Sequence, residues 1–119
     1  MSTVILLLIL FGTKHFICDF VLQFPYMLND KGRYGAAGGI HHAGIHALGT
    51  IVILLLVGLT VIDTMVLSII DGLAHYHIDW GKQQFTKGLS VVDRMFWVWL
   101  GADQGLHYLT YVVIISIIV

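Results

Sequence analysis

The chain has 119 residues, of which 58% are hydrophobic and only 11% charged, with a formal net charge of −1 and a mean hydropathy of +0.90. A soluble domain carries about 25% charged residues, so this composition cannot cover a small water-soluble globule, and it excludes disorder as well. The single cysteine, Cys18, excludes a disulfide scaffold, and six basic against seven acidic residues exclude an ordinary nucleic-acid binder.

A membrane helix needs about 20 mostly apolar residues. Four windows qualify, at about 4–28, 36–62, 64–85 and 93–119. The first opens without a positive flank or a small-residue cleavage site and is read as a retained helix. Its single proline, Pro25, falls near the end, where a kink or frayed turn is tolerable. Asn29 to Gly35 is a polar, glycine-bearing turn before the second window. A short connection, Gly58 to Thr64, carries one acid, Asp63. The third loop, Gln84 to Ser90, leads to Ser90 or Asp93 as the N-cap of the fourth helix. The expectation is a single all-α domain over 1–119, a polytopic membrane protein built as a four-helix transmembrane bundle.

Lys31 and Arg33 lie in the first loop, and Lys82, Lys87 and Arg94 in or beside the third; the second loop and the termini carry none. By the positive-inside rule, loops one and three face the cytoplasm and both termini face the opposite side. Trp97 and Trp99 fit an aromatic belt at the start of the fourth helix.

The chemistry-bearing residues all fall inside the apolar windows. An Asp at the centre of a membrane helix costs about 2.5–3.5 kcal/mol on insertion scales, so several of them need pairing, protonation, water or a metal. His15 and Asp19, His42 and His46, Asp71 and His75, His75 and Asp79, and Asp103 and His107 are each spaced i,i+4, which stacks both members on one helix face. Measured from the cytoplasmic helix ends, the four stripes lie about ten to thirteen residues deep, roughly 15–20 Å, in one common layer. The expected ligands are His15, Asp19, His42, His46, Asp71, His75, Asp79, Asp103 and His107. Imidazole and carboxylate without thiolate favour zinc, or manganese or iron, over copper(I) or an iron–sulfur cluster. Nine groups exceed the needs of one tetrahedral ion, and one or two divalent ions are expected, two of them bridged by Asp with a position open to water. The alternative is a metal-free network of Asp–His hydrogen bonds. His41 and His77 point off these faces, and Gln23, Gln83 and Gln104 are read as hydrogen-bonders that orient ligands. Lys14 would snorkel or pair with an Asp, and Lys82 could meet an anionic substrate. The glycines Gly35, Gly38, Gly39 and Gly44 are expected to permit close helix approach.

The segment His15 to Gln23 also overlays His75 to Gln83 at an offset of about 60 residues, and His42 and His46 overlay Asp103 and His107. The bundle therefore reads as two pseudo-repeated helical hairpins. An even number of helices per half makes such a repeat parallel. Asp71 has no counterpart in the first half, where Phe11 stands.

Together the motifs H-x-x-x-D-F-x-x-Q, H-x-x-x-H, D-x-x-x-H-x-x-x-D-W-x-K and D-Q-x-x-H resemble a family of small bacterial and phage integral-membrane proteins of unknown function, over most of the chain from His15 to His107. That resemblance implies a compact bundle in the bacterial inner membrane. A looser similarity is to predicted membrane-bound metal-dependent hydrolases, and the twin H-x-x-x-D is similar to the ion site of cation-diffusion zinc transporters. The leading functional expectation is a dinuclear metal-dependent hydrolase, opening to the cytoplasm and acting on an ester or phosphoester, with Asp71 or Asp19 as base. The alternatives are a divalent-metal or proton-coupled transporter and a non-catalytic protein with a structural metal. Expected partners are the lipid bilayer and a lipid-like or small anionic substrate, with no nucleic acid; homo-oligomerisation is left open.

Overall fold

The computed structural model describes residues 2–119 and is helical throughout, with no strand among the described residues. Helix α1 spans Thr3–Phe16 and continues into a single π-helical turn, Ile17–Val21; α2 is Pro25–Asp30, α3 Ala37–Leu56, α4 Val61–Phe85 and α5 Arg94–Ile118.

The first apolar window is not one continuous helix. Proline disfavours the helical conformation in the residue before it, and Phe24 is extended at φ −85°, ψ 158° with Pro25 opening a new helix. The chain therefore breaks after the π turn, and α2 packs back against α3. Asp30 fixes this junction. Its Oδ2 accepts a 2.8 Å hydrogen bond from the Gly38 N–H at the start of α3, and its Oδ1 pairs with Arg33. The Arg33 guanidinium and the Gly38 N–H hold the Asp30 carboxyl below the usual carboxylate range. A Cβ on Gly38 would fall 2.7 Å from the Tyr26 carbonyl oxygen, so here a glycine does permit close approach. Gly44 meets nothing, and Gly35 serves its turn with φ +80°; neither carries the packing role expected of it.

The other boundaries shift by a few residues. Helix α3 stops at Leu56 rather than at 62. Thr60 caps α4, its Oγ1 accepting from the Asp63 N–H at 3.1 Å, which places Asp63 in the first helical turn instead of the loop. Asp93 is the N-cap residue of α5, and its Oδ2 accepts from the N–H and Oγ of Ser90.

Helix α1 packs on α3 and α5, α3 on α4, and α4 on α5, closing a four-membered ring. The molecule measures 44 × 28 × 22 Å. Among the described residues, 15 polar or charged side chains are buried against 11 hydrophobic ones, while the outer faces carry Ile5, Leu8, Leu48, Val52, Ile69, Leu73, Leu109 and Val113, all at least 45% exposed. Polarity is thus inverted relative to a water-soluble bundle. The apolar core occupies one half only, formed by Leu7, Phe11, Ile53, Leu54, Leu67, Tyr111, Ile114 and Ile115. By length and composition two stretches can cross a membrane, Thr3–Val21 and Ala37–Leu56; α4 and α5 are longer, but their inward acids and histidines lower their hydropathy.

Candidate metal centre

The half of the ring beyond the apolar core holds the histidines. His42 and His46 stack on one face of α3, His75 projects from α4, and Asp19 comes from the π turn after α1. A π turn accommodates one extra residue within a helix and is frequent at functional sites; here it carries the carboxylate inward. Asp19 Oδ1 lies 2.9 Å from His46 Nε2, 3.0 Å from His42 Nε2 and 3.7 Å from His75 Nε2. His42 Nε2 and His75 Nε2 face each other at 3.1 Å. All four residues are buried, and their donor atoms form one group able to hold a metal ion.

These separations match a coordination shell. Ligands at 2.0–2.1 Å from a tetrahedral zinc are about 3.3–3.4 Å apart, and the distances above bracket that value. The three histidines all turn Nε2 inward, and their Nδ1 atoms have no hydrogen-bond partner. One carboxylate oxygen facing three imidazole nitrogens, with two of those nitrogens facing each other, is an economical arrangement for a cation and a poor one for hydrogen bonds alone.

A second group adjoins the first. His75 Nε2 is 3.2 Å from Asp79 Oδ2, and His107 Nε2 is 3.4 Å from Asp79 Oδ1; these three also lie within ion-binding distance of one another. The nitrogen His75 offers here is the one it offers to the first group. His42 Nε2 is 3.4 Å from Asp79 Oδ2, and Asp103 Oδ1 is 3.5 Å from His107 Nε2. Lys31, from the end of α2, places Nζ 2.7 Å from Asp79 Oδ2. That contact is close enough for an ion pair, although no well-aligned hydrogen bond satisfies Asp79 Oδ2 or Asp103 Oδ1.

His15 belongs to neither group but supports both halves of the centre. Its Nε2 is 3.0 Å from Asp19 Oδ2 and 3.0 Å from Gln104 Oε1, and its Nδ1 is 2.8 Å from the Tyr111 hydroxyl. Gln104 in turn donates to Asp103 Oδ2 at 3.0 Å. Gln23 donates to the Asp19 carbonyl at 2.9 Å. Of the three glutamines read as orienting groups, Gln23 touches Asp19 of the first group, and Gln104 touches His15 and Asp103, which border the two groups.

Three of the nine expected ligands, His15, Asp103 and Asp71, enter neither candidate group, and Asp71 is committed elsewhere. It shares a face with His75 one turn away, and so counts among the ligands and candidate bases. In the folded chain its Oδ2 is taken by Lys14 Nζ at 2.6 Å and by the Thr50 hydroxyl at 2.6 Å, and it enters neither candidate group. Lys14 also donates to Thr50 Oγ1 at 3.0 Å and lies over the Tyr111 ring, 4.6 Å from its centroid. This ion pair sits between the apolar core and the histidines. Lys31 is the converse error, a buried residue of the centre that helical periodicity could not reveal because it lies outside the four long helices.

The chain belongs to the family DUF3307, described as protein of unknown function, whose model matches residues 4–119. No curated protein and no solved structure matches it. Membership agrees with the family resemblance of the four His/Asp motifs.

Proposed function

We propose that this protein is a four-span membrane bundle whose buried His/Asp centre holds a divalent metal, zinc first by donor type, and hydrolyses an ester or phosphoester presented from the cytoplasmic side. The observation that carries the metal is the convergence of Asp19 Oδ1 with the Nε2 atoms of His42, His46 and His75 in a buried site. Four spans are supported by the inverted polarity of all four long helices, α4 and α5 included. Their 25 residues each give about 37 Å, enough to cross a hydrocarbon core about 30 Å thick.

The hairpin repeat has support in parallel contacts. His15 with Asp19 and His75 with Asp79 are both i,i+4 pairs, at 3.0 and 3.2 Å. Asp19 with His46 and Asp79 with His107 join the two helices of each hairpin.

A bound divalent ion would lower the pKa of water toward 7 and polarise the scissile ester. The chain's own contribution is a carboxylate next to that water. Asp79 fits this role, since its Oδ2 lies 3.4 and 3.2 Å from two of the ligand nitrogens, while Lys31 Nζ, 2.7 Å from the same oxygen, balances its charge. In hydrolysis the water oxygen adds to carbon or phosphorus, its proton passes to Asp79, and the departing oxygen takes that proton as its bond breaks. Asp79 thus replaces Asp71 as the base. The packed apolar half of the ring disfavours a continuous polar path across the bundle, which a transporter needs.

The test is elemental analysis of purified protein beside hydrolysis of nitrophenyl ester and phosphodiester substrates in detergent. Wild type should carry a divalent ion and turn over one substrate class. His46→Ala should lose the ion, and Asp79→Asn should keep it with turnover lowered at least a hundredfold. Metal-free wild type, or turnover indifferent to chelation, would overturn the proposal.

A further inference from the structure

We infer that Lys31 is the second cation of the centre, so that the site takes one divalent ion and a built-in ammonium rather than two metals. This rests on the metal reading above and narrows it.

Charge balance is the first support. The charged side chains buried in the described structure are Lys14, Lys31, Asp19, Asp71, Asp79 and Asp103. Two lysines against four aspartates leave these six side chains at −2. Uncompensated charge in a low-dielectric interior is costly, and one divalent ion brings this set to zero. A second divalent ion added to the same set would leave it at +2.

Geometry assigns the charges to places. Lys14 neutralises Asp71 at 2.6 Å, outside the centre. Asp19 lies among four imidazoles, those of His15, His42, His46 and His75. Asp79 and Asp103 flank His107, and the cation found there is Lys31 Nζ, 2.7 Å from Asp79 Oδ2. Lys31 is 6% exposed, held in place by the α2 and α3 junction that Asp30 fixes. The donors of the second group also fall short of an independent metal site. His75 Nε2 already belongs to the four-donor group, which leaves Asp79 and His107, with Asp103 Oδ1 3.5 Å from His107 Nε2 and the ammonium lodged on Asp79.

Removing the ammonium should therefore uncover a second metal site made of Asp79, His107 and Asp103. The experiment equilibrates purified full-length protein with excess Zn²⁺, removes unbound ion and measures zinc per chain by mass spectrometry. Wild type and Lys31→Arg should hold one equivalent, and Lys31→Met should hold two. Asp79→Asn, which leaves the four-donor group complete, should still hold one, and Lys31→Gln, which removes the charge but keeps a polar side chain, should hold two and carries the test should Lys31→Met fail to fold. Two equivalents in wild type, one in a folded Lys31→Met or Lys31→Gln protein, or none in Asp79→Asn would overturn the role of Lys31. Wild type without zinc would instead remove the metal reading beneath it.

Discussion

Replacing Lys14 by Met tests whether Asp71 belongs to a separate ion pair. Both side chains are nearly inaccessible, at 4% and 1% exposure, and their charged atoms are 2.6 Å apart. Breaking a buried pair by removing one partner typically costs about 3–5 kcal/mol, because the other charge is stranded. Loss of the cation–π contact with Tyr111, at 4.6 Å, adds about 0.5–2 kcal/mol. At roughly 2.1 cal/mol/K of unfolding entropy per residue, a chain of this length should lose on the order of 12–20 °C in Tm for the ion pair alone. The double variant Lys14→Met/Asp71→Leu removes both charges and should recover most of that loss, since apolar replacement of a buried pair is often neutral or stabilising. Thermal unfolding in detergent micelles reads the stability cycle, and elemental analysis reads the metal. Neither Asp71→Asn nor the double variant should lose the ion. A double variant as unstable as the sum of the single ones, or an Asp71→Asn protein stripped of metal, would refute the separation of this pair from the centre.

Topology is checked by single cysteines in a Cys18→Ala background. Positions 33 and 87 should react with membrane-impermeant reagent only from the cytoplasmic face and position 63 only from the other; reaction of 33 and 87 from opposite faces would refute four spans. The α2 and α3 junction should depend on pH through Asp30. Its folded pKa is lowered by Arg33 and Gly38, so its contribution is present above the unfolded value of about 3.9 and is lost as pH falls through the lower folded value. The Gly38 amide resonance should report this with a midpoint below 3.9 and lose the transition in Asp30→Asn; a midpoint at the unfolded value would contradict the Asp30 contacts.

The polar stripes were legible because helix geometry is local. Residues four apart must share a face, and an Asp inside an apolar helix must find a partner, so His42 with His46 and His75 with Asp79 could be paired and placed at one depth before any fold was known. Periodicity gives a face but not the occupant opposite it. Asp71 shares the stripe of His75, yet at its own level the facing residues are Lys14 and Thr50. The break after Val21 was signalled by Pro25, but a proline near a helix end is equally compatible with fraying. Lys31 gave no periodic signal, and a positive charge in the first loop is also what membrane orientation demands. Only the return of α2 onto α3 carries it inward.

The four donors of the tight group come from α1 with its π turn, α3 and α4, all before residue 76. Helix α5, synthesised after the other three long helices, supplies none of them. Asp19 therefore gains its four imidazole neighbours, His15 included, from parts of the chain that precede α5, and an intermediate lacking α5 need not hold that carboxylate bare. Helix α5 then closes the ring by bringing His107 against Asp79, with Asp103 beside His107, and setting Tyr111 beside His15. Order of synthesis thus places the carboxylate with the most imidazole contacts first, and leaves the side of the centre that Lys31 guards to be finished last.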